Sequence, residues 1–326
     1  MQNRSVVQLL EIRNLGIELL SPGRIIKPVT DSFLEVASGE IVCVVGESGC
    51  GKSLTALAIT RLLPENQFRI THGKILINGM DILGLPIQEV KKLRGRTVSY
   101  IFQEPGSTLN PVLRIGTQIM EMLKIHRPSE ATTAEVLRLL ALVGVPEPEL
   151  RVKQYPHQLS GGLKQRVAIA MAIASKPQLL IADEPTTALD VTIQAEVLGL
   201  LESMVEQTNM GLLLITHNLA IAENMAHRIA VLYAGQTVEF GPAEKVLSGQ
   251  GHPYSKALYL TMPRAGQLTL QSIPGSVPGT DVVITGCKFH PRCPFKIQCC
   301  SDIEPELTEV SRGWFIRCHL FKKQGL

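Results

Sequence analysis

The sequence predicts an α/β fold: a mainly parallel core sheet covered by helices, a smaller antiparallel side sheet, an inserted helical subdomain and a small cysteine-rich C-terminal extension. Three observations predict it. Short aliphatic runs alternate with helical patterns over residues 40–240. One such run ends in a glycine-rich turn that opens a helix. Residues from about 104 to 160 are helical in spacing and hold no convincing strand.

The elements follow in order. EIVCVVG (40–46) reads as a buried strand, and LTALAITRLL (54–63) has helical spacing. KILINGMDI (74–82) and QTVEFG (236–241) read as strands of the side sheet. IGTQIMEMLKIH (115–126) and ATTAEVLRLLALVGV (131–145) read as helices of the insertion. QLLIADEP (178–185), MGLLLITH (210–217) and HRIAVLYAG (227–235) are further buried strands. Beyond residue 250 the texture changes, and IPGSVPG (273–279) reads as turns and linker. The chain therefore divides into residues 1–250 and 251–326, with the boundary near 250–265.

Composition narrows the function. Hydrophobic residues make up 45% and charged residues 19%, which suits a globular chain with a sizeable core. The net charge of +3 and an aromatic share of 4% give no case for nucleic-acid binding. The longest purely apolar run, VAIAMAIA (167–174), is far too short to span a bilayer. No secretory signal is read in MQNRSVVQLLEIRN, so the chain is expected in the cytoplasm.

Gly46-Glu47-Ser48-Gly49-Cys50-Gly51-Lys52-Ser53, followed by Leu54, fits the phosphate-loop pattern G-x-x-x-x-G-K-[ST] between a strand and a helix. The glycines let successive backbone N–H groups turn inward on an anion, and the helix adds its positive dipole end. Lys52 brings a mobile charge to the phosphates, and the Ser53 hydroxyl suits the oxygen shell of Mg²⁺. Asp183 and Glu184 close a buried strand, where ligands of open α/β sheets lie. One carboxylate there can hold Mg²⁺ while its neighbour orients or deprotonates a water. Ser160, Gly161 and Gly162 open an apolar helix and make a second anion site, although alone they read as a helix cap.

Taken in order, GESGCGKS, Gln103 in IFQEP, LSGG, LLIADEP, TALD (187–190) and His217 in ITHN resemble the ATPase subunit of ABC transporters over residues 46–217. The resemblance implies a P-loop NTPase dimer with its domains head to tail, the LSGG of one chain closing on the ATP in the phosphate loop of the other. It implies that Lys52 and the loop amides hold phosphates. Ser53, Gln103 and Asp183 would surround Mg²⁺, and Glu184 would be the general base. His217 would touch the γ-phosphate, and Asp190 would link the two sites. Residues 103–126 would couple ATP closure to the membrane subunits. One feature departs from the family pattern: residues 5–32 contain no Phe, Tyr or Trp to stack on adenine. Phe33 reads as core, and an aliphatic or Arg24 surface is expected to receive the base.

YPHQLSGG, IADEPTTALDVTIQAEVL, VLYAGQTVE, HPYSKAL and the tail PGSVPG…GCKFHPRCPF resemble the oligopeptide/dipeptide/nickel importers, dipeptide D-type subunits above all, over nearly the whole chain. This implies ATP-driven peptide import and a peripheral place on the cytoplasmic face of the inner membrane. The implied partners are an F-type second ATPase, two permeases and, indirectly, a periplasmic or lipoprotein solute-binding protein. Nickel chelates, glutathione and antimicrobial peptides are alternative cargoes. A second reading is a regulatory subunit whose weak site clamps nucleotide for a partner ATPase. A soluble repair or translation ATPase would carry two ATPase domains or a coiled-coil insertion, and neither is present.

The tail spacing is Cys287-x5-Cys293-x6-Cys300-x17-Cys318. Four thiolates can hold a [4Fe–4S] cluster or tetrahedral Zn²⁺, but the tight paired spacing of zinc ribbons is missing. The family pattern favours the cluster over zinc, with unligated thiols as a third reading, and favours Cys300 over adjacent Cys299 as third ligand. The small, proline-rich tail makes a structural clip the expected role rather than electron transfer. His319 reads as a bystander.

Overall fold

The computed structural model describes residues 8–21, 23–104, 108–187, 189–262, 273–276, 278–279, 282 and 284–321. Residue 277 of the expected linker and residues 263–265 of the expected boundary lie outside the described residues. The strands are β1 (Gln8–Ser21), β2 (Arg24–Ala37), β3 (Ile41–Val45), β4 (Phe68–Ile77), β5 (Met80–Asp81), β6 (Val98–Ile101), β7 (Leu179–Asp183), β8 (Gly211–Ile215), β9 (Arg228–Tyr233), β10 (Gln236–Pro242), β11 (Thr308–Ser311) and β12 (Trp314–Ile316). The longer helices are α1 (Lys52–Ile59), α2 (Ile87–Leu93), α3 (Ile115–His126), α4 (Thr133–Leu142), α5 (Gly161–Ile173), α6 (Val191–Thr208), α7 (Leu219–Met225) and α8 (Pro253–Leu260).

The chain forms two compact units. The first holds residues 1–36, 41–84 and 215–326, and the second holds 37–40 and 85–214. Residues 251–326 thus cluster with the phosphate loop and its strands.

In the first unit the strand order is β5-β4-β1-β2-β10-β9-β3. β3 and β9 run parallel, with Val45 opposite Val231. The antiparallel arm is longer than the sequence suggests. β1 pairs with β4 from Leu10↔Ile77 to Leu19↔Phe68, and β1 and β2 are strands that periodicity left unread. Alternation is broken in β1 by register shifts around Gly16, and Asn14 there has φ 48°. That bulge hides the two-residue period.

The extension is held by ordinary protein interactions. β12 adds to β10 (Glu239↔Ile316, Phe240↔Phe315) and carries β11 on its other side. Tyr233, Tyr254 and Phe289 form a buried triangle with ring centroids 4.6, 5.2 and 5.3 Å apart. Arg317, buried, donates to Thr237 O at 3.0 Å, to Pro305 O at 3.3 Å and to Asp31 Oδ2 at 2.6 Å. Glu239 is fully buried and accepts from the His252 amide and the Trp314 indole, each at 2.8 Å.

In the second unit β6 and β7 are parallel neighbours, with Val98 opposite Leu179 and Ile101 opposite Ala182. The helical part forms as its spacing requires. Ile115, Ile119 and Leu123 make one buried stripe on α3, and Val136, Leu139 and Leu140 another on α4. Thr132 caps α4 by accepting from the Glu135 amide. α5 buries residues on all sides, Val167, Ile169, Ala170 and Ile173 among them, so its pattern is apolar rather than periodic.

Candidate nucleotide-binding site

In the first unit, β3 delivers the chain into the loop at Gly46. Gly46 has φ +152°, and a Cβ there would stand 2.2 Å from the Leu232 carbonyl oxygen. Gly51 has φ +100° and caps α1, with the Pro28 carbonyl 2.9 Å from where its Cβ would lie. Only glycine fits these two turns, and they give the loop its inward curl. Lys52 is buried and folds back, donating from Nζ to Gly46 O at 2.9 Å and Glu47 O at 3.0 Å. Those two carbonyls satisfy the buried ammonium. Ser53 and Leu54 follow on the first turn of α1, half-buried, while Ser48 and Gly49 are exposed at the loop tip and Cys50 is buried.

His217 lies in the same unit and is exposed. The Thr216 amide donates to Val44 O at 3.1 Å, and Thr216 Oγ1 accepts from the Asn218 amide at 3.0 Å. These bonds fix His217 beside the strand that carries the loop.

The second unit brings Gln103, Asp183 and Glu184 together at the carboxyl ends of β6 and β7. Asp183 is buried and accepts from Tyr100 Oη at 3.0 Å. Burial, with the Asp183 charge, raises the Tyr100 phenol above its ordinary range, so it stays a donor. Glu184 Oε2 accepts from Gln103 Nε2 at 3.1 Å and from Thr187 Oγ1 at 2.9 Å. Glu184 sits at φ 46°, a left-handed backbone that holds order-of-magnitude ~1 kcal/mol of strain and turns the chain sharply off β7. The two carboxylates are therefore unlike: one is buried on a phenol, the other is held by an amide and a hydroxyl at a strained turn.

Ser160 caps α5, accepting from the Leu163 amide at 3.4 Å, and Gly161 has open space around it. Asp190 caps α6, accepting from the Ile193 amide at 2.9 Å. A Cβ on Gly162 would stand 2.9 Å from Ile193 Cγ2, so the two cap regions lie side by side. The expected site residues thus divide, with Gly46–Leu54 and His217 in one unit and the other seven in the second. Tyr100, Thr187, Tyr254 and Arg292 were missed by sequence reading. The last two stand in HPYSKAL and HPRCP, segments noted only for their likeness to importers.

Phe33, expected as core, packs against Phe240 and Phe315 with centroids 5.5 and 4.9 Å apart. Arg24 and Ile25 are exposed.

In the extension Cys287 and Cys300 are buried, and Cys293, Cys299 and Cys318 are half-buried. The Cys318 thiol is pushed up to about 12 by burial, with contributions from Cys287, Cys293 and Cys300. Burial also raises Cys287 and Cys293, and Cys300 adds to both. The Cys287 amide donates to Cys300 O at 2.9 Å. The donor set has the chemistry of a thiolate metal site. Among the described residues, however, no three His, Cys, Asp or Glu side chains are drawn together as a metal cage. His319 is buried and its Nε2 lies 2.8 Å from Ile303 O, apart from any such role.

A glycine cradle at the N-terminus of a helix that follows a buried strand defines a P-loop fold. Comparison with known proteins sharpens this. Residues 29–187 match the ABC transporter family model, and residues 238–300 match the model of the oligopeptide/dipeptide transporter C-terminal region. The chain is 44% identical to the dipeptide transport ATP-binding protein DppD of Haemophilus influenzae, covering 95% of each chain. It is 43% identical to DppD of Escherichia coli K12 (95% of this chain, 96% of the relative) and 40% identical to that of Bacillus subtilis 168 (96% and 95%). Among solved structures, a dimeric ATP-binding cassette with ADP and phosphate bound after hydrolysis superposes with a TM-score of 0.64. That match has 27% identity and covers 72% of this chain and 98% of the cassette. The chain belongs to the ABC transporter ATP-binding family, and it is an ATPase subunit of that type. ATP and Mg²⁺ suit such a subunit. Among the described residues no helix is long and apolar enough to cross a membrane.

Proposed function

We propose that this chain binds and hydrolyses ATP to energise a bacterial importer of di- and oligopeptides, peripheral to the cytoplasmic face of the inner membrane. The observation that carries the cargo class is likeness to dipeptide transport ATP-binding proteins over 95% of the chain, extension included. Residues 1–250 form the ATPase domain and 251–326 the importer extension. Lys52 and the amides from Gly46 to Leu54 hold the phosphates. Ser53, Gln103 and Asp183 surround Mg²⁺, Glu184 is the general base, and His217 meets the γ-phosphate. Ser160, Gly161 and Gly162 cap the ATP of a second ATPase subunit, an F-type partner, and Asp190 links the two sites. Two permeases complete the assembly, with a solute-binding protein delivering cargo.

The experiment is reconstitution with two permeases, a second ATPase and a solute-binding protein. Hydrolysis is expected to rise several-fold when the binding protein carries a dipeptide. Hydrolysis indifferent to peptide, or failure of this chain to co-purify with the permeases, would overturn the reading.

A second reading, a regulatory subunit with a weak site, is favoured by one observation. The first aromatic of the chain, Phe33, is engaged by Phe240 and Phe315 rather than offered to a base. Mutating one ATPase of the pair at a time separates the two readings.

In the extension, Cys287, Cys293, Cys300 and Cys318 hold a [4Fe–4S] cluster that serves as a structural clip, with Zn²⁺ as the alternative occupant. The spacing Cys287-x5-Cys293-x6-Cys300-x17-Cys318, together with likeness to the oligopeptide/dipeptide transporter C-terminal region over residues 238–300, supports this choice of four. Anaerobically purified protein is expected to be brown, with broad visible absorbance. Colourless protein with stoichiometric zinc would replace the cluster by zinc, and protein with neither metal would refute both.

A further inference from the structure

The phosphate loop is gripped from outside by the extension. Arg292 donates through a two-pronged fork to Glu47, from Nη1 to Oε2 at 2.9 Å and from Nη2 to Oε1 at 3.2 Å. The side chain of Arg292 is only 6% exposed, so this is a largely desolvated charge pair rather than a surface contact. The guanidinium is itself fixed. Its Nε donates to Pro274 O at 2.8 Å, Nη2 to Gly275 O and Nη1 to Tyr233 Oη, both at 3.4 Å. The Glu47 amide donates to Tyr254 Oη at 3.1 Å, and Tyr254 packs in the triangle with Tyr233 and Phe289. Lys52 holds the Glu47 carbonyl.

Glu47 is thus pinned at its carboxylate by Arg292, at its amide by Tyr254 and at its carbonyl by Lys52. When ATP arrives, Lys52 exchanges the carbonyls for phosphate oxygens, and one of the three pins is withdrawn. The two that remain both come from residues beyond 250. They keep the first turn of the loop in shape when Gly46, at φ +152°, would otherwise be free to flatten.

We infer that Arg292, acting through Glu47, is a positioning residue for the ATP phosphates, so that the cysteine-rich extension sets the nucleotide affinity of the loop. Arg292 stands directly before Cys293 on the turn His290–Arg292, so whatever orders the cysteine segment also orders the loop. The inference rests on the ATP reading of this loop.

The test uses the full chain with a fluorescent ATP analogue and Mg²⁺ for binding, and the assembled transporter for kinetics. Arg292→Gln is expected to weaken ATP binding and raise KM roughly tenfold while kcat changes little, because a preorganised fork is lost without loss of a reacting group. Arg292→Lys keeps the charge but not the fork and is expected to recover part of the loss. Glu47→Gln is expected to match Arg292→Gln, and the double variant to be no worse than either single one. Should Arg292→Gln fail to fold, Glu47→Gln, whose carboxylate is partly exposed, carries the test. Wild-type KM in both Arg292→Gln and Glu47→Gln, a fall in kcat at constant KM, or additive losses in the double variant would overturn the inference. Lys52→Ala distinguishes the failures. If it binds ATP as well as wild type does, the ATP reading of the loop falls; if it alone loses binding, only the role of Arg292 falls.

Discussion

Replacing Glu184 by Gln is expected to leave ATP binding intact and to slow hydrolysis by ~10²–10⁴-fold, the span of a lost general base. The geometry explains why the two effects separate. Glu184 Oε2 accepts two bonds, from Gln103 and Thr187, and a glutamine carbonyl oxygen can accept both. The turn at φ 46° and the neighbouring Asp183–Tyr100 bond are untouched by an isosteric change. What disappears is the capacity to take a proton from an attacking water. The measurement is phosphate release by the assembled transporter beside equilibrium binding of ATP by the variant chain. Unimpaired turnover would refute Glu184 as the base. In a heterodimer, the same change in this chain alone also tells whether its own carboxylate turns over ATP.

The second large effect concerns pH. Glu239 is expected to make the first unit less stable as pH rises from about 5 to about 7, by order-of-magnitude ~3 kcal/mol. Burial raises its carboxyl from the ordinary 4.5 to about 7, against the pull of the hydrogen bonds from the Trp314 indole and the His252 amide. In that window the folded chain keeps the proton while the unfolded chain has released it. The folded state then binds more protons, and stability falls with rising pH until both states are ionised. Glu239→Gln cannot ionise, so its stability loses this slope. The amide opposes the N–H donors at a cost that does not vary with pH, and the informative quantity is the change between pH 5 and pH 8. Trp314, the chain's single tryptophan, donates its indole N–H to Glu239 Oε1, so its fluorescence follows unfolding at this spot. Equal pH dependence in the variant and the wild type would show that the carboxyl titrates normally.

These two residues differ in how they could be found. Glu184 is readable because its neighbours in sequence announce it: LLIADE is a buried strand ending in acid, and a strand end is where an α/β sheet places chemistry. Glu239 has no such announcement. It lies in QTVEFG with the look of an outward strand position, and it is buried only because β12 and the start of α8 close over it.

The sequence alone determined the local pieces. Strand–glycine turn–helix at 40–59 forces a phosphate cradle, since only glycine fits the φ of Gly46 and Gly51. Apolar spacing placed α3 and α4, and the order of six short motifs identified the family. These signals are local because each depends on neighbours within a few residues. The tertiary structure alone decided what distant segments do to one another. It drew Arg292 across 245 positions onto Glu47 and packed Phe315 against Phe33 with ring centroids 4.9 Å apart. No periodicity encodes such meetings. They arise because buried charges and rings must find partners somewhere in the folded core, and which partner is nearest depends on the path of the whole chain.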